Sequence, residues 1–189
     1  MTFLRHLRAG ALMLLALTVL TGLLYPFAVT GAARALPGQA DGSRVTHDGR
    51  VVGSSLLGQE VGPEWFTARP SATDHDGATS GGSNLGMTQP DQRAAVAERR
   101  EALTRANPDA TGPVPADALT MSGSGLDPHI SPAYARWQVA RVARARGLDE
   151  GRVRALVEQH VEHPALGFLG QDRVNTVELN LALADLAKG

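Results

Sequence analysis

The sequence predicts an α+β protein: a single N-terminal transmembrane helix followed by a small extracytoplasmic domain with a short β-hairpin and several helices. Three observations lead there. Residues Ala9 to Ala33 contain no charged side chain. An Asp48-Gly49 pair lies between the triplets Val45-Thr46-His47 and Arg50-Val51-Val52. The last third of the chain carries helix start and stop signals around apolar residues at helical spacing.

The uncharged run has 25 residues and as a helix would span about 37 Å, more than the ~30 Å hydrocarbon core of a bilayer. Its centre, Leu12-Met13-Leu14-Leu15-Ala16-Leu17-Thr18-Val19-Leu20, is dense in residues that partition into lipid. Tyr25 stands near one end, where an amphipathic ring favours the headgroup level. Pro26 next to it either kinks the helix or marks its exit. A secretory signal peptide is the rival reading, with Arg5, His6 and Arg8 as a basic start and Ala33-Arg34-Ala35 as a small-x-small site. The apolar run exceeds the ~7–15 residues of a signal core, and that site lies well beyond it, so an uncleaved anchor is expected. Arg5 and Arg8 precede the span, while after Arg34 the next basic residue is Arg44. The positive-inside rule then places residues 1–8 in the cytoplasm, 9–33 in the membrane and 34–189 outside. Without Arg5 and Arg8 the 18 basic residues become 16 against 19 acidic, a formal −3 for the exterior part.

Residues 35–44 read as a linker. Asp48-Gly49 suits a type I′ turn, so a hairpin follows, its second strand running toward Leu57. From Thr67 to Pro90 the chain is rich in Ser, Thr, Asp, Asn and Gly with almost no apolar period, and such segments are functional or disordered. A helix is expected from Asp91 to Ala106, with Glu101 and Arg105 as an i,i+4 pair and Asn107-Pro108 as its stop. Gly112-Pro113-Val114-Pro115 is an extended connector. Ser131-Pro132 starts another helix and Gly147 ends it. The next begins at Asp149, with Leu148 and Val153 spaced as a hydrophobic staple, Val153, Leu156, Val157 and Val161 as its buried stripe, and Pro164 past its end. Asn175 and Glu178 are spaced like a capping box for a last helix to Leu186, although Val177, Leu179, Leu181 and Leu183 also alternate like a strand.

Composition narrows function. A chain of 189 residues with a net charge of −1 is one domain with an attached segment, and it lacks the basic field nucleic acid requires. The absence of cysteine excludes a disulfide framework, a thiolate zinc site and a cysteine nucleophile. The 21 glycines and 11 prolines follow no period. No G-x-x-x-x-G-K-[ST] occurs, and Lys188 is the sole lysine.

Ser124, Asp127 and His129 together invite a hydrolase reading. The nucleophile elbow G-x-S-x-G is missing, and around Ser83 the second glycine, Gly86, comes one place late. Turn formation by Asp127 and His129 at the entry to the Ser131 helix is the better reading. Asp74-His75-Asp76 and the i,i+3 pair His160/His163 offer metal-ligand chemistry without an established ligand spacing, and solvated charge is preferred for both. Arg136, Arg141, Arg144, Arg146, Arg152 and Arg154 give two late helices a basic face. It suits anionic headgroups or an acidic partner, or is simply paired with Asp149 and Glu150.

Trp65-Phe66-Thr67-Ala68-Arg69-Pro70-Ser71-Ala72, Ser80-Gly81-Gly82-Ser83-Asn84-Leu85-Gly86, Pro113-Val114-Pro115-Ala116-Asp117, Ser122 to Pro132, Gly167-Phe168-Leu169-Gly170, Val174-Asn175 and Leu179-Asn180-Leu181-Ala182-Leu183 follow one another in a familiar order. With the single anchor, they make the chain, from about Leu14 to Leu186, resemble the C subunit of the Kdp potassium-transporting ATPase. Met87-Thr88-Gln89-Pro90 departs from that family's commoner Gly-Pro-Ser/Thr-Asn-Pro context. The resemblance implies a non-catalytic accessory subunit of a bacterial inner-membrane potassium pump. Its partners would be a potassium-selective channel-like subunit, a P-type ATPase subunit and a small membrane peptide, besides the lipid bilayer. The subunit would assemble the complex and raise the ATP affinity of the ATPase subunit as a catalytic chaperone. It would have no cofactor, metal or catalytic residue of its own. ATP and Mg²⁺ would enter through the partner ATPase subunit, with K⁺ as the transported ion.

Ser80, Gly81, Gly82 and Ser83 are similar to the signature stretch of ABC nucleotide-binding domains, which implies nucleotide contact there. Arg69, Asn84, Asp127 and His129 are the implied positions for subunit contact or loop shaping. The flanking charges place the domain across the membrane from cytoplasmic ATP, so indirect coupling is expected. A membrane-anchored extracytoplasmic hydrolase or ion-binding module is the alternative.

Overall fold

An apolar segment that meets no breaker continues as helix as far as its side chains allow, because every backbone polar group is then paired within the segment. The computed structural model describes residues 2–188 and begins with such a run. Helix α1 (Thr2–Val19) passes through one π-helical turn, Leu20–Leu24, into α2 (Tyr25–Ala33). The 32-residue run is long and apolar enough to cross a membrane. It starts ahead of Arg5 and Arg8, since Leu4 and Leu7 are good helix formers and nothing there stops the helix. Pro26 does not mark its exit. The π turn precedes it, the Tyr25 amide donates to the Leu20 carbonyl, and Pro26 takes a first-turn position of α2, where its missing N–H costs least. The predicted linker contains one helical turn, α3 (Pro37–Ala40).

Residues up to Arg44 form one compact unit and those from Val45 onward another. The expected hairpin forms from β1 (Arg44–His47) and β2 (Arg50–Ser54). Asp48 and Gly49 both have positive φ, 49° and 76°, as a type I′ turn demands. Then come α4 (Pro90–Ala106), a single turn α5 (Ala116–Leu119), β3 (His129–Ile130), α6 (Pro132–Arg146), α7 (Glu150–Gln159), β4 (Val161–Glu162), β5 (Arg173–Asn175) and α8 (Thr176–Leu186).

Local signals explain the helix ends. Ser131 Oγ accepts from the Tyr134 amide at 3.0 Å, and Gly147 closes α6 with φ 64°. Asp149 caps α7 by accepting from the Arg152 amide at 2.9 Å, and Val153 is fully buried against a core that Leu148 also touches. Asn175 accepts from the Val177 and Glu178 amides, so the capping reading wins over the strand reading for residues 176–186.

The core is built by the one-sided stripe of α6 (Tyr134, Ala135, Val139, Val142, Ala143) against Val153 and Val157 of α7 and Leu179 and Leu183 of α8. A three-stranded antiparallel sheet, order β3-β5-β4, closes one side, with Val174 between Ile130 and Val161. This sheet corrects the expected course of α7, which ends at Gln159. Val161 therefore leaves the helical stripe for the strand, and His160 and His163 share no helix face. His160 Nδ1 lies 2.8 Å from the Leu156 carbonyl, and His163 Nδ1 lies 2.8 Å from Asp172 Oδ1.

For the late arginines the pairing alternative prevails over a free basic face. Arg141 is buried, Arg136 is paired with Glu158, Arg154 with Glu150 and Arg144 with Asp109, while the Arg146 guanidinium stacks 4.1 Å above the Trp65 ring. These arginines are mostly consumed within the fold. Asp149 serves as the α7 cap, and among the described residues it forms no salt bridge.

Candidate functional site

The polar stretch without apolar period is ordered by the loop that follows α5. The Ser122 amide donates to the Pro70 carbonyl (2.9 Å), and the Gly81 amide and Ser80 hydroxyl both donate to the Ser124 carbonyl (2.9 and 3.1 Å). Ser71 Oγ donates to the Gly125 carbonyl at 2.7 Å and accepts from the amides of Thr73 and His75, each at 3.0 Å. On the other side the Gly58 amide donates to the Leu126 carbonyl at 2.7 Å. Such loops hold a shape because their backbone groups have found partners. Gly125 is required here: its φ is 72°, and a β-carbon would stand 2.7 Å from the Gly81 carbonyl oxygen.

Arg69 sits at the junction. Its Nη2 donates to the Met121 carbonyl at 3.1 Å, and its Nη1 lies 4.0 Å from Asp127 Oδ2. Asp127 Oδ1 also accepts from the His129 amide at 2.9 Å and lies 3.1 Å from His129 Nδ1. Asp117 completes the cluster by receiving the Ser131 amide and hydroxyl at 2.7 and 3.0 Å, which ties α5 to the start of α6. Beside it opens a cleft of about 420 Å³ whose lining includes Arg69, His75, Arg99, Glu60 and Tyr134.

Residues 80–83 are thus packed onto residues 122–125, and Arg69 meets Asp127 and His129. Asn84 stands apart as an exposed left-handed residue with φ 55°, a conformation asparagine tolerates. Two donors of the Ser80–Ser83 stretch are spent on Ser124, and Gly82 lies against the Gly123 carbonyl, with 3.1 Å left for a β-carbon. The Gly81 amide is thus directed into the protein and not toward a ligand. Ser124 Oγ accepts from the Leu126 amide at 3.1 Å and shares a hydrogen bond with Ser122 Oγ, while the His129 Nδ1 faces Asp127. That is turn geometry, with no Ser124–His129 bond among the described residues. Asp76 likewise bonds its own turn, at the Ala78 amide and Thr79 hydroxyl. Among the described residues no three His, Asp or Glu side chains gather to hold a metal.

The residues that sequence reasoning missed hold this cluster in place. The Phe66 backbone is clamped by the Asn180 amide group, with N–H···Oδ1 at 2.9 Å and Nδ2–H···O at 2.8 Å. Gln138 does the same for Thr67, accepting from its amide and donating to its carbonyl. Arg141 donates to Asn107 Oδ1 (2.8 Å), to the Pro63 and Trp65 carbonyls and to Gln138 Oε1 (2.6 Å). The available signal was two polar residues, Gln138 and Arg141, beside the apolar stripe of one helix.

The His129 hydrogen bond is the main influence holding the Asp127 carboxyl below the ordinary carboxylate range, with Arg69 adding a smaller electrostatic pull. A depressed folded-state pKa contributes stability at pH above about 4, and that stability is lost as pH falls through the folded value. Asp127→Asn is therefore expected to destabilise the full chain at pH 7 by about 0.5–1 kcal/mol, a small figure because the carboxyl is partly exposed. Thermal melts in detergent between pH 7 and pH 3 should show the two proteins converging at the acid end. A constant gap would remove the charge argument.

The family model for KdpC, described as K+-transporting ATPase, c chain, matches residues 7–185. A potassium-transporting ATPase KdpC subunit of Kineococcus radiotolerans is 54% identical over 187 residues, covering 97% of this chain and 95% of that one. One from Sorangium cellulosum is 55% identical over 185 residues, with 95% and 97% covered. One from Cereibacter sphaeroides is 53% identical over 180 residues, with 94% and 96% covered. Similarity at that level over nearly the whole chain places it in the KdpC family, the c chain of the K+-transporting ATPase.

Proposed function

We propose that the chain is a non-catalytic accessory subunit of an ATP-driven potassium uptake pump. It would assemble and stabilise the complex and raise the ATP affinity of the P-type ATPase subunit. The observation that carries this reading is the family match over residues 7–185, which includes both the membrane-length helix and the folded domain. Partners under this reading are a potassium-selective channel-like subunit, the ATPase subunit and a small membrane peptide. The site is a bacterial inner membrane, with the N-terminus cytoplasmic and the domain outside. Arg5 and Arg8, which precede the uncharged stretch Ala9 to Ala33, support that orientation.

ATP and Mg²⁺ belong to the partner ATPase subunit and K⁺ is the cargo. The inward commitment of Ser80 and Gly81 favours an indirect influence on ATP affinity over nucleotide contact by residues 80–83. The Arg69–Asp127–His129 cluster then acts as a rigid brace that shapes the outer loops for subunit contact.

The test is a mild-detergent pull-down of the tagged full-length chain beside a version lacking residues 1–33. The full-length chain is expected to bring down a P-type ATPase and a large polytopic subunit, and the truncated one to lose at least nine-tenths of them. Recovery of neither partner by the full-length chain overturns the reading.

A further inference from the structure

At one place in the membrane-length run the helix fails to pair its own backbone. In an α-helix the Thr21 carbonyl would accept from the Tyr25 amide, but the π turn sends that amide to the Leu20 carbonyl. In π register its donor would be residue 26, and Pro26 has no N–H. The Thr21 hydroxyl gives no help, because it donates to the Leu17 carbonyl at 2.7 Å. Neither register therefore supplies the Thr21 carbonyl with an amide.

Depth gives this gap a consequence. Thr21 is the middle residue of the uncharged stretch Ala9 to Ala33, so on the anchor reading it lies near the centre of the ~30 Å hydrocarbon core. Acyl chains carry no hydrogen-bond donor, and an unpaired carbonyl at that depth is costly. A lone water would itself need further polar partners, and the side chains of Leu20, Leu23 and Leu24 offer none. Approach is open, since Gly22 follows directly and nothing lies within 4 Å of where its β-carbon would stand. Small residues of this kind let a second helix come close, and polar side chains then bond across the contact. An acceptor without a donor inside hydrocarbon is thus complementary to a donor carried by another transmembrane helix.

We propose that the Thr21 carbonyl is a hydrogen-bond acceptor site for a hydroxyl or amide side chain on a transmembrane helix of another pump subunit, approached across Gly22. This inference rests on the accessory-subunit reading and adds the group through which the anchor is recognised.

The test places a benzophenone side chain at position 18, one turn before Gly22 on the same helix face, in the full-length chain co-expressed with the other pump subunits. Light is expected to join position 18 to a helix of a polytopic subunit that carries a side-chain donor beside the adduct. Gly22→Leu, which covers the carbonyl, is expected to recover about tenfold less of that subunit, whereas Gly10→Leu, the same change at another open glycine of the run, recovers it in full. Replacing the located donor by an apolar residue should lower recovery roughly threefold to tenfold with the natural chain. It should change nothing with Pro26→Ala, whose residue 26 has an N–H and lets the helix pair its carbonyls from within. An adduct with lipid alone or with a second copy of this chain, an adduct without a donor beside it, equal recovery by the two glycine variants, or an undiminished donor effect with Pro26→Ala overturns the acceptor site. Failure of the unmodified chain to recover any pump subunit overturns the accessory reading itself, a result distinct from all of these.

Discussion

Truncation of Phe66 to alanine is expected to lower the melting temperature of the full-length chain by roughly 15 °C. Phe66 lies in no helix or strand, yet its side chain is fully buried in the same cluster as Tyr134, Val139, Leu179 and Leu183. Removing a buried phenyl ring forfeits its transfer free energy and leaves a cavity, about 3–5 kcal/mol together, and the cost is greatest where the surroundings cannot collapse. Here collapse is opposed from both sides. Asn180 grips both backbone groups of Phe66, and Gln138 grips those of Thr67, so the segment cannot slide inward without breaking hydrogen bonds. A value near 4 kcal/mol follows, and at roughly 4 °C per kcal/mol for a domain of this size it gives the stated shift. Phe66→Leu, which keeps most of the volume, should cost about 1–1.5 kcal/mol. Melts followed by circular dichroism in detergent check both, and a shift below about 4 °C for the alanine variant would show that the pocket repacks.

Replacement of Arg141 by leucine is the second large effect, about 3 kcal/mol or roughly 12 °C. The guanidinium is buried, and no carboxylate forms a salt bridge with it among the described residues. Neutral oxygens solvate it instead: Asn107 Oδ1, Gln138 Oε1 and the carbonyls of Pro63 and Trp65. Burial accordingly lowers its pKa from the usual arginine value, though an arginine stays protonated at neutral pH. Leucine would relieve the desolvation of the charge but strand the Asn107 oxygen and two backbone carbonyls, each costing about 1–3 kcal/mol when left unpaired. Lysine keeps the charge but lacks the planar fork, so Arg141→Lys should lie between, near 1.5–2 kcal/mol. If leucine proves neutral, the network is dispensable and water or side-chain repacking satisfies the carbonyls.

The two effects have a common origin. Segment 63–67 has no ladder of its own, and it is held to α6 and α8 by the side chains of Gln138, Arg141 and Asn180. Because Arg69 follows directly, the position of the Arg69–Asp127–His129 brace depends on that clamp. Either substitution should therefore weaken partner recovery in the pull-down together with stability.

What could be read from the residues was local. The Asp48-Gly49 hairpin, the helices started by Ser131, Asp149 and Asn175, the stop at Gly147 and the uncharged run from Ala9 to Ala33 depend on neighbours within a few positions, where capping, turn sterics and lipid partitioning act. The single turn at 116–119 and the β3-β5-β4 sheet were invisible. The sheet strands are two or three residues long and exist only because Ile130, Val161 and Val174 are brought together from distant parts of the chain. The site was legible in part, since the serine- and glycine-rich stretches and Asp127 with His129 stood out as candidates. Their mutual packing did not, because a hydrogen bond from residue 81 to residue 124 leaves no period in either segment.

The arginines show the division most clearly. Residue type and helical spacing left a choice between a free basic face and simple pairing, and five of the six are paired, stacked or buried. By itself the sequence determined the Asp48-Gly49 turn and the starts of the helices that Ser131, Asp149 and Asn175 cap, and that one segment is long and apolar enough for a membrane. Tertiary structure alone decided which polar side chains turn inward and which loops brace each other. Those outcomes are set by long-range desolvation and pairing, and both depend on neighbours that only the folded chain supplies.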